Sequence, residues 1–232
     1  MVYKCLNSLL SLAYPPRCRL CGSTDCDTCL CRPCRHDLPW LGYTCTRCQQ
    51  PLSASGAATG VCGRCQQQPP AFDACTALFH YRPPVDFLVK RLKFSAELAL
   101  GPLLAGLLAA RIRQQNRTLP GLIVPVPLHR SRLRARGFNQ AMELARCLGR
   151  MLDLPVNPRL CERPKRTSPQ SLLSTPERKK NLRNAFRVTG PVATGHIAIV
   201  DDVMTSGHTA SELARVLKTA GAEQVEVWVI AR

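Results

Sequence analysis

Five Cys-x-x-Cys pairs crowd the first third of this chain: Cys18/Cys21, Cys26/Cys29, Cys31/Cys34, Cys45/Cys48 and Cys62/Cys65. A turn of that spacing presents two thiolates to one ion, and two such turns complete a tetrahedral zinc site. Nine residues separate Cys21 from Cys31 and 13 separate Cys48 from Cys62, so each gap suits a hairpin arm that returns the second pair to the first. The economical partition is two ribbons, one of Cys18, Cys21, Cys31 and Cys34 and one of Cys45, Cys48, Cys62 and Cys65. Cys26 and Cys29 compete for the first site. With four protein ligands each, neither ion keeps a position open for substrate, so both are read as structural. Zinc binding is worth on the order of 10–16 kcal/mol in finger peptides, enough to fold a segment with so small a core. A redox pair would sit at a helix start after a strand, and none of the five does. Cys5, Cys75, Cys147 and Cys161 read as ordinary core or surface residues, and His36 as a surface residue rather than a ligand.

Twelve of the 14 cysteines lie in the first 75 residues. Clustered thiols without a recognisable secretory leader suit a reducing, cytoplasmic compartment, where they bind metal rather than pair as disulfides. The stretch Leu6 to Tyr14 is short, broken by Asn7 and Ser8, and runs into Pro15. The most apolar run, Leu98 to Ala110, is 13 residues, too short to span a bilayer. Hydrophobic residues make up 45% of the 232, which excludes a largely disordered chain. Lys and Arg total 32 against 15 acids, a formal charge of +17, so anionic partners are expected.

Composition changes near residue 70, and the expected organisation is a cysteine module over 1–70 followed by an α/β domain over 71–232. Gln66 to Asp73 reads as the linker. Ala77 to Tyr81 predicts a strand, Val85 to Phe94 a helix, and Ala96 to Gln115 a helix broken near Gly101-Pro102. Leu122 to Pro127 is a short apolar strand. Asn139 to Leu152 is a helix with Asn139 as N-cap. His196 to Val200 is a buried strand, Ala210 to Ala220 a helix, and Val225 to Ile230 the last strand. Strands alternating with helices imply a parallel sheet covered on both faces.

The sharpest chemistry lies in IAIVDDVMTSGHTA, Ile197 to Ala210. An apolar strand ends in two acids, then comes a polar loop with one glycine, then a helix. Thr205, Ser206, Gly207, His208 and Thr209 suit a phosphate held by backbone N–H groups and hydroxyls at the positive end of the helix. Thr209 and Glu212 have capping-box spacing. Asp201 and Asp202 sit where open α/β sheets place their ligands, and carboxylates there accept hydrogen bonds from a sugar diol. A P-loop ATPase would need GxxxxGK[ST], but the dipeptide Gly-Lys never occurs, and no GxGxxG is present.

That segment resembles the phosphoribosyl diphosphate (PRPP) signature of type I phosphoribosyltransferases. With the cysteine module in front, nearly the whole chain resembles the ComF-type family of competence and DNA-utilisation proteins. The resemblance also rests on LCRPCRHDLPW (30–40), LVKRLKF (88–94), VPVPLHRSRLRARGFNQ (124–140) and TSPQSLLSTPERKKNLRNAF (167–186). It implies a type I phosphoribosyltransferase fold behind a double zinc ribbon, with PRPP bound together with magnesium. Asp201 and Asp202 would hold the ribose hydroxyls and Thr205 to Thr209 the 5′-phosphate. The loop after Pro127 would face the diphosphate, and Thr167 to Asn181 would form a lid. Transfer of ribose phosphate to a nitrogen acceptor, or a catalytically silent relative that only binds PRPP, both fit.

The arginine distribution agrees without the family. Residues 111–136 hold seven arginines and no acid, and residues 159–187 hold nine Lys or Arg against two acids. Arg130, Arg136 and Asn139 are the candidates for the diphosphate side, and Gln170, Arg178 and Asn181 for the lid. Of the four arginines in 130–136, alternation predicts two facing inward and two facing water. The same charge suits single-stranded DNA or the proteins that process it as alternative partners. Stacking platforms for bases usually accompany such binding, and only Phe138 and Phe186 stand near the basic loops in the sequence. His129 and His208 lie in the two ligand loops, where they can hydrogen-bond phosphate.

Overall fold

The computed structural model of the protein describes residues 17–26, 29–52, 59–95, 97–165 and 184–232. Four parallel strands form the central sheet in the order β1-β6-β5-β2, with β1 Ala74–Phe79, β2 Leu122–Pro125, β5 His196–Val203 and β6 Gln224–Ala231. Two short strands, β3 Cys161–Glu162 and β4 Arg187–Val188, pair antiparallel beside it. Successive side chains on a strand point to opposite faces, and both faces here are apolar. Ala198 and Val200 pack with Ile123, Trp228 and Ile230 on one face; Ile197 and Ile199 pack with Val124, Val227 and Val229 on the other.

The first face is covered by α3 (Val85–Phe94), α4 (Leu100–Gln114) and α6 (Gln140–Leu152), the second by α7 (His208–Thr219). Helix α4 is the most apolar run of the sequence, and Leu100, Leu104 and Leu108 have no exposure. Among the described residues no helix is long and apolar enough to cross a membrane. Pro102 does not break this helix, because it is the third residue, within the first turn, where N–H groups have no acceptor inside the helix. At the start of α6, Asn139 Oδ1 accepts from Ala141 N–H at 3.0 Å while its Nδ2 donates to the Val126 carbonyl at 3.0 Å. That second bond ties the helix start to the end of the neighbouring strand.

Two local expectations change. Arg130–Arg136 is a helix, α5, rather than a loop. Arginine is a good helix former, His129 Nδ1 accepts from Ser131 N–H at 3.1 Å to open the helix, and Gly137 at φ 83° ends it. The final helix begins at His208 with Gly207 at φ 77° as N-cap, so Thr209 lies inside the first turn and does not cap it. Glu212 accepts from the N–H of Asn184 at 2.9 Å.

The cysteine-rich segment, with short helices α1 (Arg32–His36) and α2 (Gly63–Gln67), packs on the edge of the sheet at β1. Leu41 N–H donates to the Leu78 carbonyl, His80 N–H to the Pro39 carbonyl, and Trp40 packs on Phe79 with ring centroids 4.6 Å apart. An exposed edge strand is a template for unwanted pairing, and these contacts cover part of it. Cys18, Leu30, Cys31 and Leu38 join the core on the α3 face, whereas Cys45, Cys48 and Cys65 join the core on the α7 face. The stretch read as a linker is docked too: Phe72 is 1% exposed, and Asp73 accepts from Val225 N–H and Lys218.

Gly149 of α6 lies against the chain that follows the helix. A Cβ there would stand 2.5 Å from Val156 Cγ2 and 2.9 Å from the Leu154 carbonyl oxygen. Gly149→Ala is expected to cost about 1–3 kcal/mol in urea denaturation, with the zinc content unchanged.

Candidate functional site

Cys18, Cys21, Cys31 and Cys34 form one cluster and Cys45, Cys48, Cys62 and Cys65 another, with each set of sulfurs within 4.8 Å of one another. Cys26 stands outside the first cluster, where its Sγ donates to the Ser23 carbonyl at 3.7 Å. Cys21 and Cys31 sulfurs lie 3.6 Å apart, Cys48 and Cys62 sulfurs 3.7 Å. Four sulfurs at about 2.3 Å from one zinc would be about 3.8 Å apart, whereas a disulfide needs about 2.05 Å. Burial alone would raise the Cys18 thiol, but N–H groups of Cys21, Cys31 and Leu20 outweigh it and bring the thiol down to about 6. Burial of Cys45 is likewise outweighed, by N–H groups of Cys62, Cys48 and Arg47, which bring it to about 7. One thiol in each set thus favours the thiolate that zinc needs, while burial and the neighbouring sulfurs push Cys34 and Cys65 upward. Cys75, Cys147 and Cys161 are buried and stand outside these clusters. His36 is exposed beside Asp37.

Strand β5 extends past Val200 to Val203, so Asp201 and Asp202 lie at its C-terminal end. Asp202 is 2% exposed, and its Oδ2 is 2.5 Å from Lys93 Nζ of α3. Asp202 N–H donates to Asp201 Oδ1 at 2.9 Å. Desolvation, then the neighbouring Asp202 charge, push the Asp201 carboxyl well above the ordinary range, and Lys93 only partly opposes them. The pair therefore holds one carboxylate matched by one ammonium and a second carboxyl that favours its proton. Beyond it, Thr205 to Gly207 turn the chain into α7. A cavity of about 30 Å³ is lined by Asp201, Thr205, Gly207 and Thr209. Gly207 is left-handed at φ 77°, and a Cβ added there would meet Met204 and Phe72 only at ordinary contact distance, so the backbone angle rather than crowding calls for glycine.

The candidate arginines separate by helical geometry. Residues four apart share a side of a helix, and Arg132 and Arg136 of α5 repel one another enough to lower Arg132, after the effect of burial. Arg136 donates to Gln140 Oε1 at 2.5 Å and stacks 5.2 Å over the Phe94 ring, one residue from Lys93. Arg130 and Asn139 instead line a separate cavity of about 650 Å³ with Arg163 and Arg187. His208 Nε2 lies 3.1 Å from Arg64 Nη2 of α2. The lid candidates Gln170, Arg178 and Asn181 lie outside the described residues.

Three further residues belong to this neighbourhood. Lys93 is the counter-ion of Asp202. Arg163, 6% exposed and 5.3 Å from the Phe186 ring, is brought down to about 10 by burial and by Arg132, with Asp201 opposing. Arg232 donates to the carbonyls of Met204 and Thr205. A lysine at the rim of an otherwise buried helix face (Val85, Leu88, Val89, Leu92) was the one sequence signal for Lys93.

Comparisons with known proteins find the cysteine module and the relatives of the chain. A family model described as a double zinc ribbon domain matches residues 9–66. The chain is 35% identical over 210 residues to Competence protein F of Haemophilus influenzae, covering 88% of this chain and 90% of that protein. It is 38% identical over 192 residues to DNA utilization protein YhgH of Escherichia coli K12, covering 81% and 83%. Competence protein ComFC of Streptococcus pneumoniae is 26% identical over 234 residues, covering 93% and 100%. A solved purine phosphoribosyltransferase from Pyrococcus horikoshii matches with a TM-score of 0.34 at 17% identity, over 54% of this chain and 68% of that one. The fold and its cysteine sites define an α/β protein with a double zinc ribbon. The chain belongs to the ComF family of competence and DNA-utilisation proteins.

Metal analysis is expected to return two zinc ions per chain, and Cys45→Ser to return one. Asp201 yields a prediction on pH. Its folded form holds the proton more tightly than the unfolded chain, so the associated stability is complete below about pH 4. It declines as pH rises through the folded value. Asp201→Asn should therefore raise the melting temperature at pH 7 and flatten its fall with rising pH, as read by thermal denaturation across that range.

Proposed function

We propose that the protein binds PRPP in a phosphoribosyltransferase-type site, in the context of DNA uptake or the use of DNA as a nutrient. The observation that carries this reading is the continuous run from acid pair to phosphate turn. Asp201 and Asp202 end a parallel strand, Gly207 turns the chain in the left-handed region, and α7 starts without a side-chain cap. A helix start of that kind favours an anion, and carboxyl groups one loop away suit the hydroxyls of the attached sugar. In this reading residues 1–70 serve as the zinc-ribbon unit and 71–232 as the phosphoribosyltransferase-like unit, working in the cytoplasm.

Ribose hydroxyls would donate to Asp202, while the proton on Asp201 gives the pair a donor as well. Arg132, Arg136 and Arg163 would face the diphosphate, with Arg130 and Asn139 further along the same basic surface. Lys93 already neutralises Asp202, so magnesium would arrive with the diphosphate oxygens as part of the substrate rather than sit between the two acids. Transfer would break the bond from ribose C1 to the diphosphate and form one to a nitrogen acceptor through a cation-like transition state. The chain would contribute charge placement and exclusion of water more than acid–base chemistry.

A second reading, single-stranded DNA binding, is favoured by one feature. Phe94 is 73% exposed beneath Arg136, and Phe87 is 49% exposed beneath Arg91, 5.2 Å from the guanidinium. These stacks supply aromatic faces beside cations that the sequence order did not reveal.

Isothermal titration with PRPP and magnesium should give heat with the wild type and none with the double variant Asp201→Asn, Asp202→Asn, provided the variant keeps its two zinc ions. Heat unchanged in that variant would remove the site assignment. Phe94→Ala should weaken single-stranded DNA by about 5–100-fold at fixed salt, the range of a lost base stack. It should leave the PRPP heat in place.

A further inference from the structure

We infer that Arg232 is a positioning residue through which the second zinc knuckle governs the phosphate loop. Zinc bound by Cys45, Cys48, Cys62 and Cys65 would thereby set how firmly Thr205 to His208 hold their ligand. The consequence for a ligand rests on the PRPP reading; the coupling between knuckle and loop does not.

The two parts are distant in sequence and are not simply packed together. A cavity of about 200 Å³ lies between them, lined by Cys48 and Cys65 on one side and by Ser206, Gly207 and His208 on the other. Arg232 crosses it. Its Nε donates to the Cys48 carbonyl at 2.5 Å and its Nη2 reaches Cys48 Sγ at 3.8 Å. Its Nη1 donates to the Met204 carbonyl at 3.3 Å and to the Thr205 carbonyl. The backbone of Arg232 is itself fixed, since its N–H donates to the Phe79 carbonyl and its carbonyl accepts from Tyr81 N–H. Arg64, between Cys62 and Cys65, makes a second crossing to His208 at 3.1 Å.

The peptide plane explains why this matters for binding. In a trans peptide the carbonyl and the following N–H point in opposite directions. Drawing the carbonyls of Met204 and Thr205 toward Arg232 therefore aims the N–H groups of Thr205 and Ser206 away from it. Those are two of the donors expected to meet a phosphate. A planar guanidinium reaches three carbonyls in one plane, which an ammonium does not. Cys48 serves the metal through sulfur and Arg232 through its carbonyl, so a change in the knuckle turn passes directly to the loop. Coupling of this kind is reciprocal, and a ligand on the loop should retain the metal.

The test uses the full zinc-loaded chain as wild type, Arg232→Ala and Arg232→Lys. Hydrogen exchange is followed at residues 204–209, and alkylation at each cysteine is mapped during stripping by a chelator. In the wild type, loss of zinc from the second knuckle should raise exchange at Thr205 to His208 by about tenfold. Arg232→Ala should show that raised exchange with both zinc ions still present, and Arg232→Lys should not restore it. Saturating PRPP with magnesium should slow alkylation of Cys48 and Cys62 by about 5–10-fold in the wild type and not in Arg232→Ala. Loop exchange that ignores stripping of the second knuckle, or an Arg232→Ala chain indistinguishable from wild type, would overturn the inference. If Arg232→Ala does not fold, the wild-type stripping experiment decides alone. If the wild type gives no heat with PRPP, the proposed function fails, and hydrogen exchange without ligand still decides the coupling.

Discussion

Two neighbouring carboxyl groups stand at the end of β5, and a series of contacts through the molecule holds Lys93 as the counter-ion of one of them, Asp202. A buried carboxylate without a partner costs several kcal/mol. Lys93 reaches Asp202 only because α3 ends where it does. The end of α3 is held in turn by Arg91, whose Nε lies 2.5 Å from Glu97, and Glu97 also meets Arg19 of the first cysteine knuckle. Arg91 donates as well to the Arg19 carbonyl. The charge balance of the acid pair therefore depends on a chain of contacts that ends in the zinc-binding segment.

Zinc thus belongs to the architecture of this site without touching it. The parallel sheet has an edge at β1 and two apolar faces, and the cysteine-rich segment supplies residues to all three. One knuckle lies on the α3 face and the other on the α7 face. Each approaches the acid pair and the turn that follows it from its own side, the first through Arg19, Glu97 and Arg91, the second through Arg232 and Arg64. A small segment with little core of its own gains stability from metal and uses it to brace two sides of a neighbouring site.

The parts of this arrangement legible in the sequence were those written in local spacing. The second site follows from its two Cys-x-x-Cys turns alone, whereas the first had Cys26 and Cys29 as rivals in the sequence until the structure brought Cys31 and Cys34 to Cys18 and Cys21. The acids, the glycine and the helix behind them are contiguous, so their order survives folding. What escaped was tertiary or depended on one dihedral angle. Arg130 to Arg136 looked like an alternating loop until a cap at His129 and a left-handed Gly137 made it a helix, which pairs Arg132 with Arg136. The capping-box spacing at Thr209 misplaced the start of α7 because the left-handed Gly207 begins the helix earlier. Arg163 and Arg232 carry no local pattern that marks them, and Lys93 only its place at the rim of an apolar helix face; each is brought to the acid pair or the turn after it by the packing of an element distant in sequence. Phe94 likewise becomes a neighbour of Arg136 only in three dimensions.

The central claim is that the turn from Thr205 to Thr209 holds a sugar-linked phosphate while the acids before it hold the sugar. Ribose 5-phosphate carries both groups and nothing else, so it isolates this claim from diphosphate and acceptor. Backbone amide resonances followed during its titration should move at Thr205 to Thr209 and at Asp201 and Asp202. Inorganic phosphate should move the first set alone. Still resonances in that turn, with movement instead around Arg130 and Arg187, would contradict the account.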